Sequence, residues 1–328
     1  MFNPFDLYTI PLGAWVDALI KWLTGNYRDV FQAVKVPVEL VLEGIQSFLL
    51  WLHPFAFLAL LLLIAWRIAG WRVAVFSVIA MVFIGYLGVW DPAMTTLAMV
   101  ISAVAFCAAV GIPLGVIAAR SNAFETTLRP VLDVMQTTPS FVYLVPVVML
   151  FSIGTVSGVI ATIIFALPPV VRLTNLGIRQ VQREVVEAAY AFGSTPWQVL
   201  RDVQIPLALR TIMAGLNQTL MLALSMVVIA AIIGAKGLGD PVRSGLNNLQ
   251  PGLASVGGIG IVLLAIVLDR ITQALGNPET GKSGGGLWTI LQGMAGRAGL
   301  IRRTPAQVAN AASSSWEEND PSSRGPMA

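Results

Sequence analysis

Charge is scarce in this sequence. Asp, Glu, Lys and Arg make up 11% of its 328 residues, against about 25% in a soluble globular chain. Histidine and cysteine are nearly absent, with one of each, His53 and Cys107. A lone cysteine excludes a disulfide framework and a cysteine-built metal centre. A lone histidine excludes a histidine metal cluster or a relay of several imidazoles. No Ser/His/Asp triad or carboxylate pair with a catalytic context is apparent, so an enzyme is not expected. The first residues carry Asp6 and Asp17 rather than a basic stretch followed by a short apolar run, so no cleaved secretory leader is expected.

What remains is apolar. Hydrophobic residues make up 56% of the chain, and the mean hydropathy is +0.78. A soluble fold of this size could not hide that much apolar surface, so lipid must solvate part of it. Nine Trp suit the water–lipid boundary. The net charge of +3 would suggest nucleic acid in a soluble protein. Here excess Lys and Arg fit as anchors of cytoplasmic loops, and no nucleic-acid partner is expected.

Residues 1–53 are amphipathic. Trp15, Leu19, Trp22 and Leu23 share one helical face, and Val34, Val38, Val41, Ile45, Phe48 and Leu52 repeat the pattern. These read as helices at the lipid interface, with a small soluble cap as the alternative. Apolar runs long enough to span, about 17–20 residues, follow at 54–70 and 73–90, an accessory pair within 54–92. Others lie at 94–119, 212–234 and 254–275. Residues 136–171 are too long for one span and short for two. Their middle, Ser152-Ile153-Gly154-Thr155-Val156-Ser157-Gly158, is a flexible break. Two short spans, 138–152 and 157–171, the second closed by Pro168-Pro169, give an all-α membrane protein with seven spans.

On that count fifteen of the twenty Lys and Arg fall on one side. The positive-inside rule then puts the N-terminus outside and the C-terminus in the cytoplasm. Treating 136–171 as one span gives fourteen against six with the reverse orientation of the N-terminus, so charge alone does not separate the models. After 276 the chain is rich in Gly, Ser, Pro and Asn and reads as a mostly disordered tail, 276–328, with a short basic surface helix at 287–303.

Gly276-Asn277-Pro278-Glu279-Thr280-Gly281-Lys282-Ser283 fits the phosphate-loop pattern letter for letter. That chemistry needs a strand before the loop and a helix after it, so that backbone N–H groups converge on phosphate. A membrane helix precedes it here and Gly284-Gly285-Gly286 follows, so the match is rejected. No nucleotide or other cofactor is expected on this chain.

The longest polar connection between spans, 172–211, carries the strongest local signals. Val185, Ala188, Ala189 and Phe192 give a short helix an apolar stripe, and Gly193 fits the left-handed position past its end. Thr195, Pro196 and Gln198 then form a capping-box start for a second helix, which Pro206 should limit. The expected product is a rigid helix–turn–helix elbow of the kind that docks into a partner's groove.

The run Glu187-Ala188-Ala189-x3-Gly193-x9-Val203-x-Ile205-Pro206 resembles the EAA motif of ABC-importer permeases, E-A-A-x3-G-x9-I-x-L-P. The resemblance implies a type I importer fold whose core, 93–275, has five spans with this loop between the third and fourth. It implies docking of Glu187, Ala188, Ala189 and Gly193 on ABC ATPase subunits that use ATP and Mg. Asp133-Val-Met135-Gln136-Thr137-Thr138-Pro139, Ile164–Pro169 and Asn217–Val228 are similar to permeases of glycine betaine/proline betaine importers. That likeness implies osmoprotectant uptake across a bacterial inner membrane, a homodimer, and a periplasmic substrate-binding protein. An amino acid or other small solute, or a self-contained secondary transporter, stands as the alternative.

Polar groups in lipid are costly unless paired or facing a cavity. Asn217, Gln218, Thr219, Met221 and Ser225 therefore read either as a pathway or gate lining or as hydrogen-bonding contacts between helices, including across a dimer. No acidic site is read in mid-span. The aromatic residues, such as Trp51, Trp66, Trp71 and Trp90, fall mainly at span ends, where they anchor to the interface. Gly111-x3-Gly115 and Gly154-x3-Gly158 read as close helix contacts, the second equally as a turn.

Overall fold

The structure is a computed structural model that describes residues 11–276. It is built of helices: α1 (Leu12–Asn26), α2 (Arg28–Trp51), α3 (Pro54–Ala69), α4 (Trp71–Tyr86), α5 (Trp90–Arg120) and α6 (Asn122–Thr137). A 3-10 turn, Ser140–Tyr143, leads into α7 (Leu144–Phe151) and α8 (Thr155–Arg179). Then come α9 (Arg183–Ala191), α10 (Pro196–Gln198), α11 (Ile205–Ala230), α12 (Gly239–Asn247) and α13 (Pro251–Gly276). The rejected phosphate loop beyond Gly276, the tail and the helix read at 287–303 lie outside the described residues.

Four helical stretches are each long and apolar enough to cross a membrane: Trp90–Arg120, Thr155–Arg179, Pro196–Ile233 and Pro251–Gly276. Contacts between their ends define two poles. At the pole bearing the elbow, Arg179 Nη2 donates to Ala118 O at 2.8 Å and pairs with Glu125. That brings together the end of α5, the start of α6 and the end of α8. At the far pole, Leu238 N donates to Thr96 Oγ1 at 2.8 Å, and Lys236 N to Thr155 Oγ1 at 3.3 Å. The chain leaving α11 thus meets the starts of α5 and α8.

The crossing between α5 and α8 is made differently from the reading of 138–152 as a span. The stretch α7 has 8 residues, about 12 Å of helix, far short of a bilayer core. The polar helix α6 supplies the rest. It runs antiparallel to α8, Glu125 beside Arg179 and Asp133 beside Arg172. The chain then bends by 103° and continues through α7 to the far pole. A hydropathy window rewards Val142–Phe151 and overlooks α6, although the two together form one broken traverse.

Counting each bent pair as one span, the described residues hold up to six candidate spans rather than the seven expected, and α3 and α4 are short ones. These two helices, 16 residues each, pack on one another about Gly70, whose φ is +89°. Trp90 meets Phe57 edge-on at 5.5 Å, holding the start of α3 at the far pole. α2 lies across that pole. Its ring Phe31 meets Phe151 at 5.7 Å, and Gln46 Nε2 donates to Thr95 Oγ1. The face it buries is Val38, Leu42 and Leu49, rotated from the expected stripe, in which Val34 and Phe48 are exposed. α1 leaves Trp15, Leu19 and Trp22 exposed, as an interfacial helix would.

Two expected stops do not stop anything. Helix α8 passes through Pro168-Pro169 to Arg179. Proline removes a helix hydrogen bond and crowds the carbonyl four residues back. The carbonyls freed are those of Ile164 and Phe165; the neighbouring helices bond the flanking ones, Thr219 Oγ1 donating to Ala166 O at 2.9 Å and the Cys107 thiol to Ile163 O at 3.6 Å. Pro206 does not end its helix either. The turns before it, Val199–Gln204, widen to π geometry, which makes room for the ring. The segment 196–233 is therefore one rod of 38 residues. The connection between spans shrinks from 172–211 to 180–195.

The core is the contact of α8 with α5 and α11, where Val100, Val159, Val170, Val171, Leu224 and Met226 are fully buried. Small residues set the spacing. A Cβ on Gly115 would lie 2.5 Å from Thr174 Cβ and 2.8 Å from Val171 O, and Gly158 sits against Ala230 and Ala235. Gly154, by contrast, is the turn residue, with φ +139°. Gly115→Val should overpack α5 against α8 at a cost of about 1–3 kcal/mol. Unfolding in detergent should then shift down by several degrees. Gly44→Ala, with nothing within 4 Å of the added Cβ in the interior of α2, should hold it or raise it slightly.

Candidate functional site

The elbow is built from local signals. α9 carries no buried residue, and Glu187, Ala188 and Tyr190 are exposed. Its end is closed by Gly193, at φ +83°, whose N–H donates to Tyr190 O, with Ser194 N donating to Ala189 O. Ala189 is half-buried. The next rod opens with a complete capping box. Thr195 Oγ1 accepts from Gln198 N, and Gln198 Oε1 accepts from Thr195 N at 2.8 Å. Val199 and Leu200 are buried and fasten this start to the bundle. The elbow thus has a fixed root and an exposed tip, where Phe192 is 91% and Trp197 61% exposed.

Glu187 does not share the tip's outward aspect alone. It lines a cleft of about 550 Å³ under the elbow, together with Arg120, Arg179, Arg183, Tyr190 and Pro196. Glu187 and the ends of α5 and α8 thus border the same cleft, while Arg179 is itself paired with Glu125.

Above this cleft a polar ladder joins α6 to α8. Glu125 receives Arg129 at 2.9 Å, Arg179 at 3.1 Å and the Asn175 amide at 3.2 Å. One step further from the elbow, Asp133 pairs with Arg172 at 2.5 Å. These groups wall a second cleft of about 400 Å³ floored by Leu128, Leu132 and Val171. Sequence reading left the ladder out because its members are 39 to 54 positions apart; only the antiparallel run of α6 along α8 brings them together.

The five polar or soft residues singled out on α11 divide into two groups. Gln218, Met221 and Ser225 are exposed, at helical spacing on one stripe. Asn217 and Thr219 point into the protein. Thr219 is fully buried against Ala166 O. Asn217 Nδ2 donates to Asp269 Oδ1 at 2.9 Å. Asp269 is an acid within α13 that the sequence reading did not mark. Gln273 Nε2 caps it as well, at 2.8 Å, and among the described residues no basic side chain pairs with it. Hence Asn217 does not share the exposed stripe with Met221 and Ser225.

Comparison with known proteins places this geometry. The family model of the binding-protein-dependent transport system inner membrane component matches residues 111–277. The chain is 50% identical over 303 residues to the glycine betaine/proline betaine transport system permease protein ProW of Escherichia coli (strain K12), spanning 92% of this chain and 84% of that one. It is 44% identical over 264 residues to the glycine betaine transport system permease protein OpuAB of Bacillus subtilis (strain 168), spanning 80% and 94%. Among solved structures it is similar to the inward-facing MetNI methionine ABC transporter, with a TM-score of 0.50 and 25% identity over 58% of this chain and 94% of that one.

Thr195→Ala removes the cap acceptor. It should cost the start of the rod about 1 kcal/mol and speed amide exchange over 196–204 several-fold, with α8 unaffected. Unchanged exchange would mean that the buried Val199 and Leu200 hold the elbow without the cap.

Proposed function

The chain belongs to the family of binding-protein-dependent transport system inner membrane components, and from that premise we propose that it is the permease subunit of an ATP-driven importer for a betaine-type osmoprotectant. The observation that carries the ATP-driven part is the elbow between the third and fourth core traverses, rigid at its root and apolar at its tip. Its exposed aromatic residues suit a groove on a separate ATPase. That partner would hold ATP and Mg and hydrolyse the nucleotide. The betaine class rests on the relatives at 44–50% identity.

The elbow pole faces the cytoplasm on this reading, because fifteen of the twenty basic residues fall on that side. The N-terminus then lies outside and the C-terminus inside. A second copy of the chain completes the permease across a two-fold axis, the usual solution for identical subunits. A binding protein delivers substrate at the far pole. Alternating access follows if closure of two ATPases draws the elbows together and moves α8 and α11, the helices that flank each elbow.

Reconstitution tests this. The chain with a betaine-family ATPase subunit and binding protein should take up glycine betaine only with ATP. Uptake by the chain alone would sink the reading. Glu187→Lys places a fourth cation in the cleft with Arg120, Arg179 and Arg183. It should lower ATP-driven uptake about tenfold or more while membrane insertion stays normal. Undiminished uptake would remove Glu187 from the coupling role.

A further inference from the structure

The α6–α7 traverse mixes polar and apolar groups on its exposed surface, with Val131 and Val134 on α6 and Val142, Val145 and Met149 beyond the break. Along α6, Thr126, Arg129, Asp133, Gln136 and Thr137 are exposed, although the helix makes half of a crossing. Among the described residues the Gln136 amide has no hydrogen-bond partner. At Thr138 and Pro139 the backbone is extended, and the helix axis turns by 103°. Interrupted backbone at membrane depth is tolerated only where protein buries it or where it lines a water-filled cavity. An unpaired amide facing hydrocarbon carries the same penalty.

The break also places an aromatic ring. Tyr143 ties the turn down by donating its hydroxyl to Met135 O at 2.6 Å. Phe141, two residues earlier, is 61% exposed. Among the described residues of the core, 93–276, it is the one exposed aromatic outside the elbow. The turn that carries it packs against α8 and α11, and α11 bears the exposed stripe of Gln218, Met221 and Ser225.

This inference rests on the betaine reading above. A quaternary ammonium has no N–H to donate, so a carbonyl or amide oxygen cannot hold it by hydrogen bonding. An aromatic face attracts it, most strongly where water is scarce. We propose that the break between α6 and α7 lines the translocation path and that Phe141 is the permease's contact for the ammonium group of the substrate. The polar face of α6, from Gln136 down to Arg129, is then the wet route from the break towards the elbow pole. The neutral, amphiphilic stripe on α11 forms an adjoining wall. A passing contact of this kind suits a carrier, because a fixed carboxylate counter-ion would hold the cation too firmly to release it.

The only cysteine, Cys107, is buried, so an introduced thiol is a clean reporter. Phe141→Cys and, as a lipid-facing comparison, Ile79→Cys on α4 (62% exposed) would be labelled with 2-(trimethylammonium)ethyl methanethiosulfonate. The full permease–ATPase complex in lipid nanodiscs is the sample. Phe141→Cys should react at least about tenfold faster, and glycine betaine with binding protein and ATP should slow it. Equal rates would overturn the path. In uptake, Phe141→Leu should lose about tenfold or more and Phe141→Trp should recover most of it. Normal uptake by Phe141→Leu would overturn the ammonium contact. If the unmodified complex moves no betaine, the functional reading fails instead, and the labelling rates still decide where the path lies.

Discussion

A helix in hydrocarbon has no water to satisfy its polar groups, and that constraint organises this protein. α5, α8, α11 and α13 meet it in the ordinary way, with apolar surfaces and internal hydrogen bonds. Where α8 and the 196–233 rod contain proline, the helices nevertheless continue. Side chains of Cys107 and Thr219 reach carbonyls beside Pro168-Pro169, and a π segment absorbs Pro206. α6 meets the constraint on one side alone. It is paired to α8 through Glu125 and Asp133, and its exposed surface sets Thr126, Gln136 and Thr137 among Val131 and Val134. Polar groups of this kind need water or other protein beside them at membrane depth.

The same packing gives a route for force. α8 and α11 are held close by small residues, Gly177 against Ala208 and Gly215 against Leu173 and the backbone at Pro169 and Val170. Both helices run directly into the elbow, one at Arg179 and the other at Thr195. Displacing the elbow must therefore carry the two helices as a unit or shear a tightly packed contact, and close-packed interfaces favour the first. On the proposed function, that unit is what the partner ATPase moves, and α6 follows through its ion pairs to Arg172 and Arg179.

Local chemistry was legible in the sequence and long-range pairing was not. The elbow came through because its determinants are near neighbours: Gly193 past a helix end, and Thr195 with Gln198 three residues on. The four long spans came through because apolar length is a bulk property. The boundaries of the second core traverse did not, since hydropathy treats a polar α6 as loop. The prolines misled for a related reason. A propensity rule sees the missing N–H and cannot see the buried packing of Ala166, Val170 and Val171 that carries α8 past the pair. Likewise Asn217 and Gln218 look alike in the sequence. Only the position of Asp269 on α13 shows that one side chain turns inward and the other outward.

The claim on which the rest depends is that the elbow tip seats in a separate ATP-hydrolysing subunit. Phe192, at the exposed tip, is the place to test it, by a single cysteine there and a short bifunctional crosslinker in the reconstituted complex. The account predicts one crosslinked ATPase per permease chain, at a rate that changes when ATP is bound. ATP-driven uptake that proceeds normally with no crosslink from Phe192→Cys to the ATPase would contradict it.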